Sequence, residues 1–151
     1  MTTFAFETFG FPQAKARFSR MGSAAIDLAP AWAEMLEWFF YIEDETFTSQ
    51  GRRGGGSWAA DTDDWMARKS RDGLDPRINF ATWSLYDAMT ELGAPGQIVS
   101  IEPQRLAIGS DLPQAGPSQK YRPFIKLTET DKFEMANFIK NHFKRAWEAG
   151  T

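Results

Sequence analysis

Arg52 and Arg53 stand among glycines in the stretch SQGRRGGGS, residues 49–57. Basic side chains on a glycine-rich loop can cradle a phosphate, because backbone amides and cations converge on the oxygens. Gly51 and Gly56 carry the spacing of a phosphate-binding loop. Ser57 and Trp58 follow, however, where that pattern requires lysine and then serine or threonine. A helix rather than a strand precedes the loop. A small nucleotide-binding protein or enzyme using the Gly51–Gly56 loop is thus the alternative reading, and the residues after Gly56 argue against it. Other chemistry is equally hard to assemble. There is no Gly-x-Ser-x-Gly elbow, since Ser57 lies between glycine and tryptophan. The absence of cysteine removes thiolate zinc sites and a thiol nucleophile, and the single histidine, His142, cannot build a multi-histidine metal site. Glu34, Glu37, Glu43, Asp44 and Glu45 could gather a cation, but they read better as the wet face of a helix. Asp61, Asp63 and Asp64 are explained by helix capping. The expectation is a non-enzyme with no cofactor and no metal.

These residues must be positioned by one domain, the size expected of 151 residues. The net charge of −3 does not suit a general nucleic-acid coat. No apolar run approaches the roughly 20 residues of a bilayer span. The N-terminal MTTFAFETFGF lacks the basic region and apolar core of a signal peptide, which predicts a protein made and used in a cytoplasm. Aromatic residues make up 15% of the chain, enough that some rings are expected to face a partner.

Phe4 and Phe6 alternate with polar neighbours, which predicts a short strand ended by Gly10 and Pro12. A short helix over 13–21 follows, with Arg17 and Arg20 on its wet side. From Pro30 to about Thr48, Trp32, Leu36, Phe39, Glu43 and Phe47 recur at steps of three and four, giving a long amphipathic helix. The glycines of 49–57 predict a mobile loop, and Trp58 returns the chain to the core. Asp61 or Thr62 caps a helix from Asp63 to about Arg71, with Lys69 and Arg71 in its last turn. A helix over Thr82–Leu92 directs Leu85, Met89 and Leu92 inward. Ile98–Ile101 and Leu106–Ile108, joined at Pro103–Gln104, predict a hairpin. Residues 111–121 read as a second flexible loop and FIKL, from Phe124, as a last strand. Thr128 and Asp131 form a capping box, opening a helix to about Glu148 with Phe133, Ala136, Ile139, Phe143 and Trp147 in one stripe. The class is α+β, a small antiparallel sheet beside a long central helix, short helices and a C-terminal helix.

The order of these features resembles the phage virion morphogenesis family, the Mu-like tail-completion and neck proteins of tailed bacteriophages. Carrying the resemblance are a helix ending in Phe47, a glycine-containing loop, Trp58, and a short helix ending near Lys69 with the DGLDP run, Asp72 to Pro76. A hairpin ending in Ile108-Gly109-Ser110, the motif Arg122-Pro123-Phe124 and an acidic helix start then follow. The match spans about residues 25–145. Two features depart from the family: ATWSLYDAMT, from Ala81, replaces its usual TGxLxxS turn, and LPQAGPSQKY replaces a longer histidine-containing stretch before Arg122. The resemblance implies a structural virion protein at the neck or tail top, assembled in the host cytoplasm. It further implies copies arranged in a ring, commonly six-fold, against adjacent neck, tail-terminator or tail-tube proteins and around a channel that DNA traverses. In that setting Arg52 and Arg53 are expected to reach an acidic patch of a neighbour, such as Glu34, Glu37 and Glu45 on the long helix, in preference to DNA phosphate. Phe47, Trp58, Lys69, Arg122, Pro123 and Phe124 are the residues expected to have structural roles.

Overall fold

The computed structural model describes residues 11–149, so the strand expected at Phe4 and Phe6 lies outside the described residues. Helix α1 (Phe11–Ile26) runs into α2 (Ala29–Thr48), and a 3-10 turn, Arg52–Gly54, leads to α3 (Asp63–Arg71) and α4 (Ser84–Thr90). Strands β1 (Gln97–Glu102) and β2 (Arg105–Ser110) come next, then α5 (Ala115–Tyr121) and α6 (Glu129–Glu148). This is the α+β class. The two strands pair antiparallel, with Val99 opposite Ile108 and Ile101 opposite Leu106.

Local chemistry accounts for most boundaries. Pro30 sits in the first turn of α2, where the amide it lacks would have no helical acceptor. The Thr62 hydroxyl accepts from the Trp65 amide and opens α3, whose Asp63 and Asp64 meet the positive end of the helix dipole. At α6 the capping box forms in full: the Asp131 carboxylate accepts from the Thr128 amide at 2.7 Å, and the Thr128 hydroxyl accepts from the Asp131 amide at 3.2 Å.

Phe47, in the last turn of α2, lies at the centre of the core and is fully buried. Its ring meets those of Trp58 at 5.4 Å, Phe80 at 5.7 Å, Tyr86 at 5.7 Å and Phe124 at 5.8 Å. The first three of these pairs are edge-to-face, and such pairs add about 0.5–1.5 kcal/mol each beyond burial. Four other parts of the chain are thereby tied to one side chain. Farther out, the hairpin tip is bonded to the α1–α2 junction: Gln104 donates to the carbonyls of Ala25 and Ile26, and the Leu28 amide to that of Pro103.

Several expectations fail. Residues 111–121 are not simply a loop, because Ala115–Tyr121 form α5 with Ala115 buried. Phe124–Leu127 pair with no strand among the described residues. The side chain of Gln119 instead accepts from the amides of Phe124 and Ile125 and donates to the Ile125 carbonyl, satisfying groups that a sheet neighbour would have taken. Arg17 and Arg20 do not simply face water: Arg17 lies over the Trp147 ring and Arg20 donates to the Ala146 carbonyl, both on α6. In α6 the inward positions are shifted from the expected stripe, leaving Phe133 exposed and placing Met135 and Phe138 against α2. Leu92 is also exposed, since α4 ends at Thr90.

Candidate functional site

The arginine-bearing loop is folded, which corrects the expectation of a mobile one. Gly51 takes φ +83, a left-handed conformation that reverses the chain after α2 and brings its backbone against the Trp58 ring. A Cβ there would lie 2.5 Å from Trp58 Cδ1, so the position has both a dihedral and a steric need for glycine. The Gly51 amide donates to the Thr46 carbonyl of α2, those of Arg52, Gly54 and Gly55 to carbonyls within the turn, and that of Arg53 to the Ser49 hydroxyl. The row of free amides that a phosphate cradle requires is therefore missing over these residues.

Arg53 does not reach outward either. Its guanidinium donates to both carboxylate oxygens of Asp131, at 2.9 Å and 2.5 Å, and its Nε donates to Glu45 at 3.0 Å. Arg53 thus clamps the end of α2 to the start of α6. The fork geometry suits the task, since one planar group can bond two carboxylates in fixed orientation. The Arg53 bonds, together with those from Thr128, hold the Asp131 carboxyl down to about 2. Glu45 is lowered chiefly by the bond it accepts from the Tyr41 hydroxyl, with Arg53 adding to the effect.

Glu43 lies two residues before Glu45 on α2 and is 1% exposed. Its place in the apolar stripe of α2 wins over its grouping with the outer carboxylates. Burial pushes its carboxyl up to about 8 despite the nearby Arg53 charge.

The residues expected to be structural converge. Trp58, 7% exposed, donates its indole N–H to the Pro123 carbonyl at 2.9 Å while its ring packs on Phe47. Lys69 is 2% exposed and its ammonium reaches the Asp61 carboxylate at 2.7 Å and the Arg77 carbonyl at 2.8 Å. Arg122 meets the other Asp61 oxygen at 2.7 Å and donates to the carbonyls of Ala59 and Ala60. Phe124 is buried against Phe47. Trp58 to Asp61 is therefore a seam, held from one side by Lys69 and from the other by Arg122-Pro123-Phe124. Sequence reasoning missed Asp61 as the shared anion of this seam and assigned Lys69 to the helix dipole.

The expected interface residues divide. Arg52 and Glu37 are exposed. Glu34 bonds Arg145 of α6 at 2.7 Å, and Glu45 bonds Arg53. The acidic face of α2 is partly satisfied within the chain, and Arg53 is withdrawn from any role outside it. Exposed apolar residues include Phe18, Ile26, Leu92, Tyr121 and Phe133, and Tyr41 is exposed on α2 itself. His142 half-buries against the end of α1, its Nε2 lying 3.1 Å and 3.0 Å from the carbonyls of Ala24 and Asp27. Among the described residues no group of three or more His, Cys, Asp or Glu side chains is gathered to hold a metal ion, and no helix is long and apolar enough to cross a membrane.

No protein-family model matches this chain, and neither a curated protein nor a solved structure matches it.

Proposed function

We propose that this chain is a structural virion protein of the head–tail junction of a tailed bacteriophage, a tail-completion, neck or head–tail connector subunit needed to join heads to tails. The observation that carries this reading is the order and spacing of the motif residues from Phe47 through Trp58 and Lys69 to Arg122-Pro123-Phe124. Their meeting around Phe47 and Asp61 supports it, because a signature spread along a chain has a physical reason to persist when its members share one core. The partners are further copies in a ring, commonly of six, and the adjacent neck, tail-terminator or tail-tube proteins. Ring contacts join one patch to a different patch on the neighbour and close by rotation. The exposed rings of Phe18, Tyr121 and Phe133 supply apolar area for such contacts. Arg52, exposed where Arg53 is not, is the loop cation left to meet a neighbour's carboxylate or, as the lesser role, DNA in the channel.

Deleting the gene tests the reading. The expected result is filled heads and separate tails that fail to join, with the protein found at low copy number in wild-type particles by mass spectrometry. Normal infectivity after deletion, or absence of the protein from mature particles, overturns it.

A further inference from the structure

Between β2, α2 and α6 runs an open apolar groove of about 400 Å³, lined by Trp32, Met35, Phe39, Leu106, Ile108 and Met135. The backbone of β2 forms its edge. The Asp111 amide bonds the Gly96 carbonyl at 3.1 Å, and Gly109, Ala107 and Arg105 continue the alternation toward Ile98, Ser100 and Glu102. The backbone groups of those residues therefore face the partner strand, whereas those of Leu106 and Ile108 point out of the pair. The outward groups bond nothing among the described residues. An open edge is a template for a further strand, and a hairpin gains most from a third strand when that strand also covers an apolar face. Phe4 and Phe6, which precede the described residues, stand two apart, the spacing that sends both side chains to one face of an extended strand. Laid along β2 with Phe4 and Phe6 level with Leu106 and Ile108, both rings enter the groove. Ala5 then comes beside Ala107 whichever way the added strand runs.

The same chain cannot supply that strand. Helix α1 packs antiparallel on α6, with Phe18 on Trp147 and the Ala24 carbonyl beside His142. Met135 lies about 18 Å from Trp147 along α6, and Phe11 lies about 10 Å beyond Phe18 along α1, on the side away from Met135. The chain from Phe6 to Phe11 extends at most about 18 Å, against the roughly 28 Å to be covered. We infer that the Phe4–Phe6 segment of a second copy of this chain adds to the open edge of β2, with both rings in the groove. Main-chain bonds to Leu106 and Ile108 supply the pairing, and the alternate side chains supply the fit. The inference needs a second copy but no virion, so it stands apart from the head–tail reading, and particle assembly in a deletion strain bears on that reading alone.

The chain has no cysteine, so a pair of introduced thiols reads the contact directly. Opposed residues on neighbouring strands stand close enough for a disulfide with small adjustment. The full chain is prepared as Ala5→Cys, as Ala107→Cys and as the double variant. Mild oxidation of an equimolar mixture of the two single variants should give a covalent dimer whose peptide map joins positions 5 and 107. Adding Phe4→Ser and Phe6→Ser to the Ala5→Cys chain should lower that yield at least about tenfold, because each lost ring forfeits its burial in the groove. If Ala107→Cys folds poorly, magnetic resonance on a mixture of labelled and unlabelled unsubstituted chains reads the same contact, as transfer between the Phe6 ring of one copy and the Ile108 methyls of another. Absence of the joined peptides or of that transfer overturns the inference. So does a yield indifferent to the serine substitutions, or a double variant that joins the two positions within one chain at every dilution.

Discussion

Replacing Glu43 with glutamine removes an ionisable group from the core without changing its shape, and the consequence can be worked through. The carboxyl titrates at about 8 in the folded chain against an ordinary value of 4.5. Between those values the folded state holds a proton that the unfolded state has released, so stability falls as pH rises through this window. Near pH 4 both states are protonated and glutamate and glutamine are nearly equivalent. Near pH 7 the unfolded glutamate gains ionisation that the folded one is denied, worth roughly 3 kcal/mol at 1.36 kcal/mol per unit. Glu43→Gln should therefore be close to neutral at pH 4–5 and stabilising by roughly 2–3 kcal/mol near pH 7. At the size of this chain that is a rise in Tm of about 4–12 °C. Urea unfolding of the two proteins in parallel across pH 4–8 measures it, because every other titrating group cancels in the difference. A gap that does not widen with pH, or a glutamine variant that is less stable at neutral pH, would show that Glu43 is ionised in the fold and paired with Arg53, and the desolvation argument would be refuted.

Four further substitutions separate structural from surface roles. Arg53→Ala leaves Asp131 buried without its main partner and should cost about 2–4 kcal/mol, whereas exposed Arg52→Ala should stay within about 0.5 kcal/mol; equal effects in thermal melts would contradict the clamp. The depressed Asp131 carboxyl contributes stability present above its ordinary value of 3.8 and lost as pH falls toward about 2, so the Arg53→Ala penalty should shrink in acid melts over that window. Trp58→Ala removes a ring packed on Phe47 and the bond to the Pro123 carbonyl and should cost about 3–5 kcal/mol, and an unchanged melting temperature would place that ring outside the core. Gly51→Ala should destabilise by more than about 1 kcal/mol, because the left-handed turn and the approach of Trp58 leave no room for a Cβ; a neutral result in chemical denaturation would mean that the turn rearranges freely.

The sequence by itself determined what neighbours along the chain decide. The apolar period of α2, the Thr62 cap, the Thr128–Asp131 capping box and the Pro103–Gln104 hairpin are made by residues a few positions apart, and each is where their chemistry predicts. The importance of Phe47, Trp58, Lys69 and Arg122-Pro123-Phe124 was legible as a pattern, but the reason for it was not. Only the tertiary structure decided the partners. Arg53 and Asp131 are 78 positions apart, and nothing local distinguishes an arginine that will be clamped from Arg52 beside it, which faces water. Asp61 becomes the shared anion of Lys69 and Arg122 only once Arg122 is brought back across the fold. Among the described residues the Phe124–Leu127 segment pairs with no strand, and the Gln119 side chain takes the amides of Phe124 and Ile125 instead. Glu43 follows the same rule. Its spacing put it in the apolar stripe and its charge put it outside, and the packing around the end of α2 settled the conflict in favour of burial by leaving that carboxyl protonated.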